Sequence, residues 1–188
     1  MKIYIIERDF EKFKYLKPYF MDIDNVELIN KDIIKFLEEK QDIHCVVSPA
    51  NSFGIMDGGY DLALRNYYGM QIQERVQQYI IDKYYGEQPV ATSFTIPAGK
   101  NNQLLIHTPT MRTPEKIKDK MIIYQCMRST LIEAKRNNVK SIVLPMFGGL
   151  TGGCKAQDIA KMMRLAYDQV ESKTEKIDWD YAYKIKFE

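Results

Sequence analysis

The sequence predicts a three-layer α/β/α fold, in which a mixed and mostly parallel sheet is covered by helices on both faces. Short apolar stretches alternate with amphipathic stretches of helical spacing, and two of the apolar stretches run into glycine-rich turns. The chain has 188 residues, of which 45% are hydrophobic and 28% are charged, so it carries enough apolar side chains for a packed core. We expect one domain over residues 1–188.

The spacing of apolar residues predicts the amino-terminal elements. Residues 3–6 form the first strand, and the apolar residues between 10 and 20 then recur at helical spacing. Residues 27–30 are predicted to form the second strand, which is followed by a short helix that contains Ile33. The apolar run at residues 44–48 is typical of a buried central strand.

The middle of the chain is predicted to contain one long helix and two strands. The glycine-rich stretch at residues 53–59 opens the helix, whose apolar positions continue to Ile80. Gly86 to Pro89 end this helix. Residues 91–96 and 103–108 are predicted to be strands, joined by the turn AGKNN.

The remaining elements are predicted from capping signals and alternation. Thr113 followed by Pro114 is typical of an N-cap with proline at the first helical position. Residues 141–147 form a further buried strand that runs into the turn GGLTGG, and a helix follows over residues 156–170. The alternation of aromatic or aliphatic residues with lysine at residues 183–187 predicts a half-buried closing strand.

Charge, cysteine content and hydropathy argue against several classes of protein. The 27 basic residues are scattered and nearly balanced by 25 acidic ones, so nucleic acid is not the expected partner. The three cysteines lack the spacing of a metal site or a disulfide framework. Charges at residues 7–9 interrupt the first apolar stretch too early for a signal peptide, and no run reaches the ~18–20 residues of a membrane span. We expect a cytoplasmic protein without membrane association, metal or cofactor.

Two junctions from strand to glycine-rich loop to helix carry most of the functional information. Such a junction directs backbone N–H groups toward the carboxyl ends of the strands, where they bind phosphate without basic side chains. Each turn by itself can be purely structural, because a tight turn also needs the positive φ that glycine adopts. The two junctions together favour a ligand that contains a diphosphate.

Four segments of the chain together resemble the macrodomain family, whose members bind ADP-ribose. The segments are KDIIKF at 31–36, CVVSPANSFGIMDGGYDLAL at 45–64, IHT at 106–108 and LPMFGGLTGG at 144–153. Each is a weak signal alone, but their order and spacing extend over about 120 residues. The resemblance implies the α/β/α macrodomain fold, and a free ADP-ribose or an ADP-ribosylated substrate as the partner.

The resemblance places the adenine of the ligand beside Asp32 and Ile33. Asp32 matches the family's aspartate that accepts a hydrogen bond from the exocyclic amine of adenine, and Ile33 would offer a backbone amide and an apolar wall. Asp32 is also a suitable N-cap for the helix that begins IIKF. The two roles are compatible, and we expect both.

The resemblance places the distal ribose beside Asn51, and makes Asn51 and Asp61 the candidate catalytic residues. The Asn51 amide can donate to and accept from ribose hydroxyls, although an asparagine after a strand is also a common turn residue. Asp61 matches an aspartate that orients or deprotonates a water in hydrolytic members. An aspartate in a first helical turn also complements the helix dipole, so both interpretations stay open. Asp57 is the alternative base if the loop register differs.

The other predicted contacts surround the diphosphate and the distal ribose. They are Ser52, Gly58, Gly59, Phe147, Gly148, Gly149, Leu150, Thr151 and Gly152. Phe147 is expected to form a wall for the sugar, and Thr151 adds a hydroxyl donor. Leu150 stands where many family members keep glycine, so it would be strained if its position needed a positive φ.

The resemblance favours hydrolysis at the distal ribose, with removal of a 1″-phosphate, an O-acyl group or an ADP-ribosyl link. Nucleic acid would then enter only as an ADP-ribosylated substrate. One alternative is a module that binds ADP-ribose without cleaving it; another is a site for a different NAD-derived nucleotide. Asp61 favours catalysis, whereas the altered GGL turn favours binding alone. His107 and the cysteines form no recognisable nucleophile and base set.

Overall fold

A computed structural model describes residues 1–187 and shows a six-stranded sheet flanked by helices. The strands are β1 (Lys2–Ile6), β2 (Val26–Ile29), β3 (Cys45–Ser48), β4 (Phe94–Pro97), β5 (Leu104–His107) and β6 (Ser141–Pro145). The helices are α1 (Phe10–Phe13), α2 (Lys17–Phe20), α3 (Ile33–Glu39), α4 (Gly59–Tyr68), α5 (Gln71–Tyr84), α6 (Met121–Arg136), α7 (Ala156–Glu171) and α8 (Trp179–Ala182).

The sheet has the strand order β2-β1-β6-β3-β5-β4. The first five of these strands are parallel, and β4 pairs antiparallel with β5. The carboxyl ends of five neighbouring strands therefore lie at one edge of the sheet, which is where ligands bind in open α/β folds. This arrangement confirms the predicted fold class.

Two apolar layers cover the two faces of the sheet. Helices α1, α2, α6 and α7 pack on the face that contains Ile5, Val47 and Ile142. Helices α3, α4 and α5 pack on the face that contains Val46 and Val143. Successive residues of a strand point to opposite faces, so Val46 and Val47 enter different layers. Burial on both faces explains why these strands are continuously apolar rather than alternating.

Two predicted helices differ in the structure. The long helix predicted up to Ile80 is interrupted at Gly69, whose φ of +94° ends α4 before α5 begins. Likewise, the helical pattern between residues 10 and 20 forms two single-turn helices, α1 and α2. Hydrophobic spacing alone does not locate such breaks, because the apolar face continues in register through them.

The helix predicted to begin at Thr113 and Pro114 begins instead at Met121. The residues before it form a loop, in which the Ile117 N–H donates to the carbonyl of Gly152 at 3.0 Å. That bond joins the loop to the GGLTGG turn, so the capping signal at Thr113 and Pro114 is outweighed by a tertiary contact.

Two predicted strands also need correction. The strand predicted at residues 91–96 begins at Phe94, because Ala91 has a φ of +63° and lies in a turn. Residues 183–187 form no strand. Instead, the Phe187 ring packs edge-on against Tyr124 of α6, with ring centroids 4.8 Å apart. The alternation in the tail therefore reflects contact with a helix rather than with the edge of the sheet.

Candidate functional site

A cavity of about 340 Å³ opens at the carboxyl edge of the parallel strands. Segments that follow β1, β2, β3, β5 and β6 form its walls. The predicted site residues that line it are Asp32, Ile33, Asn51, Gly58, Gly59, Asp61, Gly148, Gly149, Leu150, Thr151 and Gly152. The fold thus brings the predicted adenine, diphosphate and ribose residues together in one cavity.

Two predicted contacts, Ser52 and Phe147, do not line this cavity. Phe147 is fully buried in the layer that contains α6 and α7, so its ring cannot form a wall for a sugar. Ser52 is also buried, and its backbone holds the loop after β3 by bonds with Met111 and Gln88. Both residues lie behind the walls of the cavity, so the expected direct contact of Ser52 and Phe147 with a ligand is corrected.

Asp32 is the N-cap of α3, as its sequence context predicts. Its Oδ1 atom accepts from the N–H groups of Ile34 at 2.9 Å and Lys35 at 3.5 Å. Within residues 1–187 both capping bonds use this one oxygen, and Oδ2 bonds no donor. The carboxylate therefore keeps one acceptor for another group in the cavity while Ile33 lines the wall beside it.

The Asn51 side chain holds the loop that follows β3. Its Nδ2 atom donates to the carbonyl of Ile55 at 2.8 Å. Its Oδ1 atom accepts from the N–H groups of Phe53 at 3.1 Å and Ile55 at 3.3 Å. The turn role considered from the sequence is therefore present. One N–H of the amide remains for a ligand, since a primary amide has two.

Asp61 lies in the first turn of α4 and bonds to the last residue of β3. The Ser48 hydroxyl donates to Asp61 Oδ1 at 2.6 Å. Burial raises the pKa of Asp61 from 3.8 to about 7, while the hydrogen bond from Ser48 acts in the opposite direction. Both protonation states are then populated near neutral pH, which is the property of a group that moves protons.

The glycine-rich loops meet across the cavity. Gly148 has a φ of +74°, and a Cβ placed there would lie 2.6 Å from Cδ1 of Ile123, so this position requires glycine. Leu150 has no positive φ and is not strained. Its side chain is 51% exposed and reaches over the cleft, where Cδ1 would lie 3.7 Å from a Cβ on Gly59.

Sequence reasoning missed fourteen other lining residues. They are Ile6, Glu7, Arg8, Lys31, Pro49, Ala50, Ile55, Tyr60, Ala63, Thr110, Met111, Pro114, Pro145 and Met146. The Tyr60 hydroxyl among them is buried without a hydrogen-bond partner in residues 1–187, and burial raises its pKa, so it stays protonated. Two signals could find them. Residues after every parallel strand reach the same edge of the sheet. Eight of the fourteen also lie inside the segments that resemble the family: Lys31, Pro49, Ala50, Ile55, Tyr60, Ala63, Pro145 and Met146.

His107 and Cys154 lie outside the cavity. His107 is buried and its Nδ1 lies 2.6 Å from Gln88 Oε1, while burial lowers its pKa to about 3. Burial raises the pKa of Cys154, which disfavours a reactive thiolate. In residues 1–187, no three His, Cys, Asp or Glu side chains are placed to hold a metal ion. Over the same residues, no helix has the length and apolar character needed to span a membrane.

Comparison with known proteins decides the family. The Macro domain family model matches residues 47–163, a region that contains both glycine-rich loops, Asn51 and Asp61. The chain belongs to the macro domain family. Asp32 lies before the matched region, in the segment between β2 and α3.

Two uncharacterized proteins, from Aeropyrum pernix and Aquifex aeolicus, are each 28% identical to this macrodomain, over 121 and 133 residues. The aligned regions cover 64% and 70% of this chain, and 61% and 76% of the respective relatives. The match therefore spans less than two thirds of the Aeropyrum protein.

Solved structures share the fold of this macrodomain at lower identity. The Oceanobacillus iheyensis macrodomain with ADP has 19% identity and a TM-score of 0.59, over 67% of this chain and 68% of that one. A mutant of the same protein with ADPR has 18% identity and a TM-score of 0.62, over 70% of this chain and 74% of that one. The macrodomain of Mycobacterium tuberculosis DarG has 19% identity and a TM-score of 0.59, over 69% of this chain and 84% of that one.

Proposed function

We propose that this macrodomain binds ADP-ribose, or a close derivative, and hydrolyses a bond at the distal ribose. The observation that carries the proposal is the single cavity that joins Asp32, two glycine-rich loops and a carboxyl group of near-neutral pKa, Asp61. The related macrodomains with ADP and with ADPR support the choice of ligand class.

The order of the strands supports the orientation of the ligand. Asp32 follows β2 and Asn51 follows β3, which lie three strand spacings apart in the sheet. At ~4.8 Å per spacing this is ~14 Å, a span suited to adenine at one end and the distal ribose at the other. The diphosphate then lies between the loop that contains Gly148 and the amino terminus of α4, where backbone N–H groups favour negative charge.

In the proposed reaction, Asp61 accepts a proton from a water whose oxygen forms a bond at the scissile link of the distal ribose. The bond to the phosphate, acyl or ADP-ribosylated group breaks in the same reaction, and the proton held by Asp61 passes to the departing atom. The remaining N–H of Asn51 orients that water or an adjacent ribose hydroxyl. No strong base is required, because holding the water at the correct angle beside the scissile bond already lowers much of the activation barrier. A carboxylate with a pKa about 7 contributes the proton transfer.

A module that binds ADP-ribose without cleaving it is the second candidate. The bonds that Asn51 makes within its own loop favour this alternative, since they leave a single N–H to orient a water. Leu150, which reaches over the cleft, would also restrict access to the distal ribose.

Calorimetric titration with ADP-ribose, with AMP as the control, tests binding. Turnover of ADP-ribose-1″-phosphate and of a mono-ADP-ribosylated protein on the same sample tests catalysis.

Asp61→Asn should lower kcat by about 100-fold and change the ADP-ribose Kd by less than about threefold, because proton transfer is lost while the shape of the side chain is kept. Asp57→Asn, in the same cavity lining, is the matched control and should retain turnover.

Each contrary result identifies what is wrong. Binding without turnover in the unmodified protein would favour the second candidate, a module that binds ADP-ribose without cleaving it. Equal loss of affinity and turnover in Asp61→Asn would make Asp61 a structural residue. The absence of ADP-ribose binding would refute the proposal and direct the search to other NAD-derived nucleotides.

The pH dependence of kcat/KM gives a second test of Asp61. Activity should rise with pH to a plateau above about pH 7, because the base acts in its deprotonated form. Ser48→Ala should move the midpoint to higher pH, since the Ser48 hydrogen bond lowers the pKa of Asp61. An unchanged midpoint in Ser48→Ala would show that the titrating group is not Asp61.

A further inference from the structure

We infer that Arg8 makes this cavity a site for ADP-ribose that carries a phosphate monoester on its proximal ribose. This inference rests on the proposed function, because it uses the same orientation of the ligand. It adds a substrate class, adenine nucleotides with an extra phosphate on the proximal ribose, and it names Arg8 as the residue that selects for this class.

The position of Arg8 follows from the order of the strands. Asp32 lies beyond the end of β2, Arg8 lies beyond the end of β1, and the glycine loop that contains Gly148 follows β6. Since β1 lies between β2 and β6, Arg8 lines the cavity between the adenine end and the diphosphate loop. In an extended ADP-ribose the group between adenine and diphosphate is the proximal ribose.

Among the charged residues that line this end of the cavity within residues 1–187, Arg8 is the one whose side chain has no partner. Glu7 accepts from the N–H of Asp9 at 2.8 Å, and Asp32 caps α3. The Lys31 ammonium pairs with Glu39, and Lys12 donates to the carbonyl of Gly149 at 2.8 Å.

No acceptor in residues 1–187 bonds the Arg8 side chain, which belongs to an exposed residue of the cavity lining. An arginine without an acceptor at a nucleotide cavity has a charge and five donors to offer a ligand.

The chemistry of this guanidinium matches a phosphate monoester better than a ribose hydroxyl. Ribose hydroxyls are neutral and gain little from a full positive charge. A phosphate monoester carries about −1.5 to −2 charges at neutral pH and accepts two parallel hydrogen bonds from a guanidinium. Arginine plays this part for the 2′-phosphate in other dinucleotide sites at the carboxyl edge of parallel sheets.

Titration calorimetry with four ligands tests the inference on the whole protein. The ligands are ADP-ribose, 2′-phospho-ADP-ribose, adenosine 2′,5′-bisphosphate and adenosine 3′,5′-bisphosphate, and AMP is the reference for the two bisphosphates. The phosphorylated ADP-ribose should bind on the order of 10-fold tighter than ADP-ribose, the size expected for one charge-assisted contact. The two bisphosphates determine whether the site reads the 2′ or the 3′ position.

Arg8→Gln should remove this preference and leave the ADP-ribose Kd within about twofold, because Arg8 faces the added phosphate alone. Arg75→Gln is the matched control: it removes an equal charge from an exposed arginine of α5 that bonds the carbonyl of Pro97. The preference for the phosphorylated ligand should survive in this control. Arg8→Lys should retain part of it, since lysine keeps the charge without the planar pair of donors.

Three outcomes would overturn the inference. The first is equal affinity for ADP-ribose and its 2′-phosphate, together with no preference between AMP and either bisphosphate. The second is a preference that survives in Arg8→Gln, and the third is one that Arg75→Gln also abolishes, which indicates net charge rather than a contact. Binding of unphosphorylated ADP-ribose separates these results from failure of the proposed function, in which ADP-ribose itself does not bind.

Discussion

At the scale of single residues, Asp32 can serve the fold and the ligand with different oxygens. Oδ1 accepts the two capping bonds of α3, and Oδ2 is unbonded within residues 1–187. A replacement that preserves the cap but not the second acceptor therefore separates the two roles. Asparagine is such a replacement, because it caps helices about as well as aspartate does.

Asp32→Asn should weaken ADP-ribose binding by about 1–3 kcal/mol and change the free energy of unfolding by less than about 0.5 kcal/mol. In this variant the amide nitrogen, which is a hydrogen-bond donor, would face the adenine amine, which is also a donor. The carboxylate of Asp32 instead offers an acceptor there. Calorimetry and urea unfolding measure the two quantities. Asp32→Ala is the companion variant, which should also lose about 1 kcal/mol of stability with the cap. Unchanged ADP-ribose affinity in Asp32→Asn would contradict the adenine assignment.

At the scale of elements, the amide side chain of Asn51 makes three of the hydrogen bonds that hold the loop between β3 and α4. Asn51 closes it with three hydrogen bonds to Phe53 and Ile55. Asn51→Ala should release both N–H groups, so their amide exchange should become at least about 10-fold faster while exchange in β3 stays unchanged. Hydrogen exchange followed by NMR measures this without any ligand.

Asn51→Asp is the control for that measurement, because it keeps the acceptor of both N–H groups and loses only the donor to Ile55. Its exchange rates at Phe53 and Ile55 should stay nearer those of the unmodified protein. Equal protection of these amides in Asn51→Ala would show that the loop is held by its backbone alone, and would leave Asn51 free to serve the ligand with its whole amide.

The elements differ in how well the sequence predicts them. Strands such as β3 and β6 are predicted well because burial on both faces leaves a dense apolar run. The break at Gly69 is not, because it depends on the backbone conformation of one glycine within a continuous apolar pattern. The loop before Met121 is not, because it is decided by a hydrogen bond between Ile117 and the distant Gly152. The tail at residues 183–187 shows the same limit, since a helix contact and a sheet edge bury alternate side chains alike.

The site differs in the same way. Asp32, Asn51 and Asp61 could be found because each belongs to a motif of fixed spacing. Arg8 carries no motif and reaches the cavity only because β1 lies beside β2 in the sheet. Phe147 was misplaced since a residue next to a glycine turn can face the core or the cavity, and the sequence does not distinguish the two.

At the scale of the whole molecule, a buried carboxyl group at the site makes stability depend on pH. The pKa of Asp61 is about 7 in the folded protein, against an ordinary value of 3.8. Between these two values the folded state holds a proton that the unfolded state has released. The stabilisation that comes from this proton is complete below about pH 4 and is lost as pH rises through about 7. The buried carboxyl group of Asp61 therefore lowers the stability of the protein in alkaline solution.

Asp61→Asn should remove this dependence, because asparagine is neutral at every pH and still accepts from the Ser48 hydroxyl. The variant and the unmodified protein should have similar stability near pH 4, and the variant should be more stable by about 1–2 kcal/mol at pH 8. The difference between the pKa values of 3.8 and about 7 corresponds to at most ~4 kcal/mol, and solvent in the open cavity reduces this free energy. Urea unfolding across this range measures the difference, with Asp57→Asn as an exposed control. Parallel stability curves for Asp61→Asn and the unmodified protein would mean that Asp61 ionises as an ordinary surface aspartate, and the proton transfer proposed for it would then need another group.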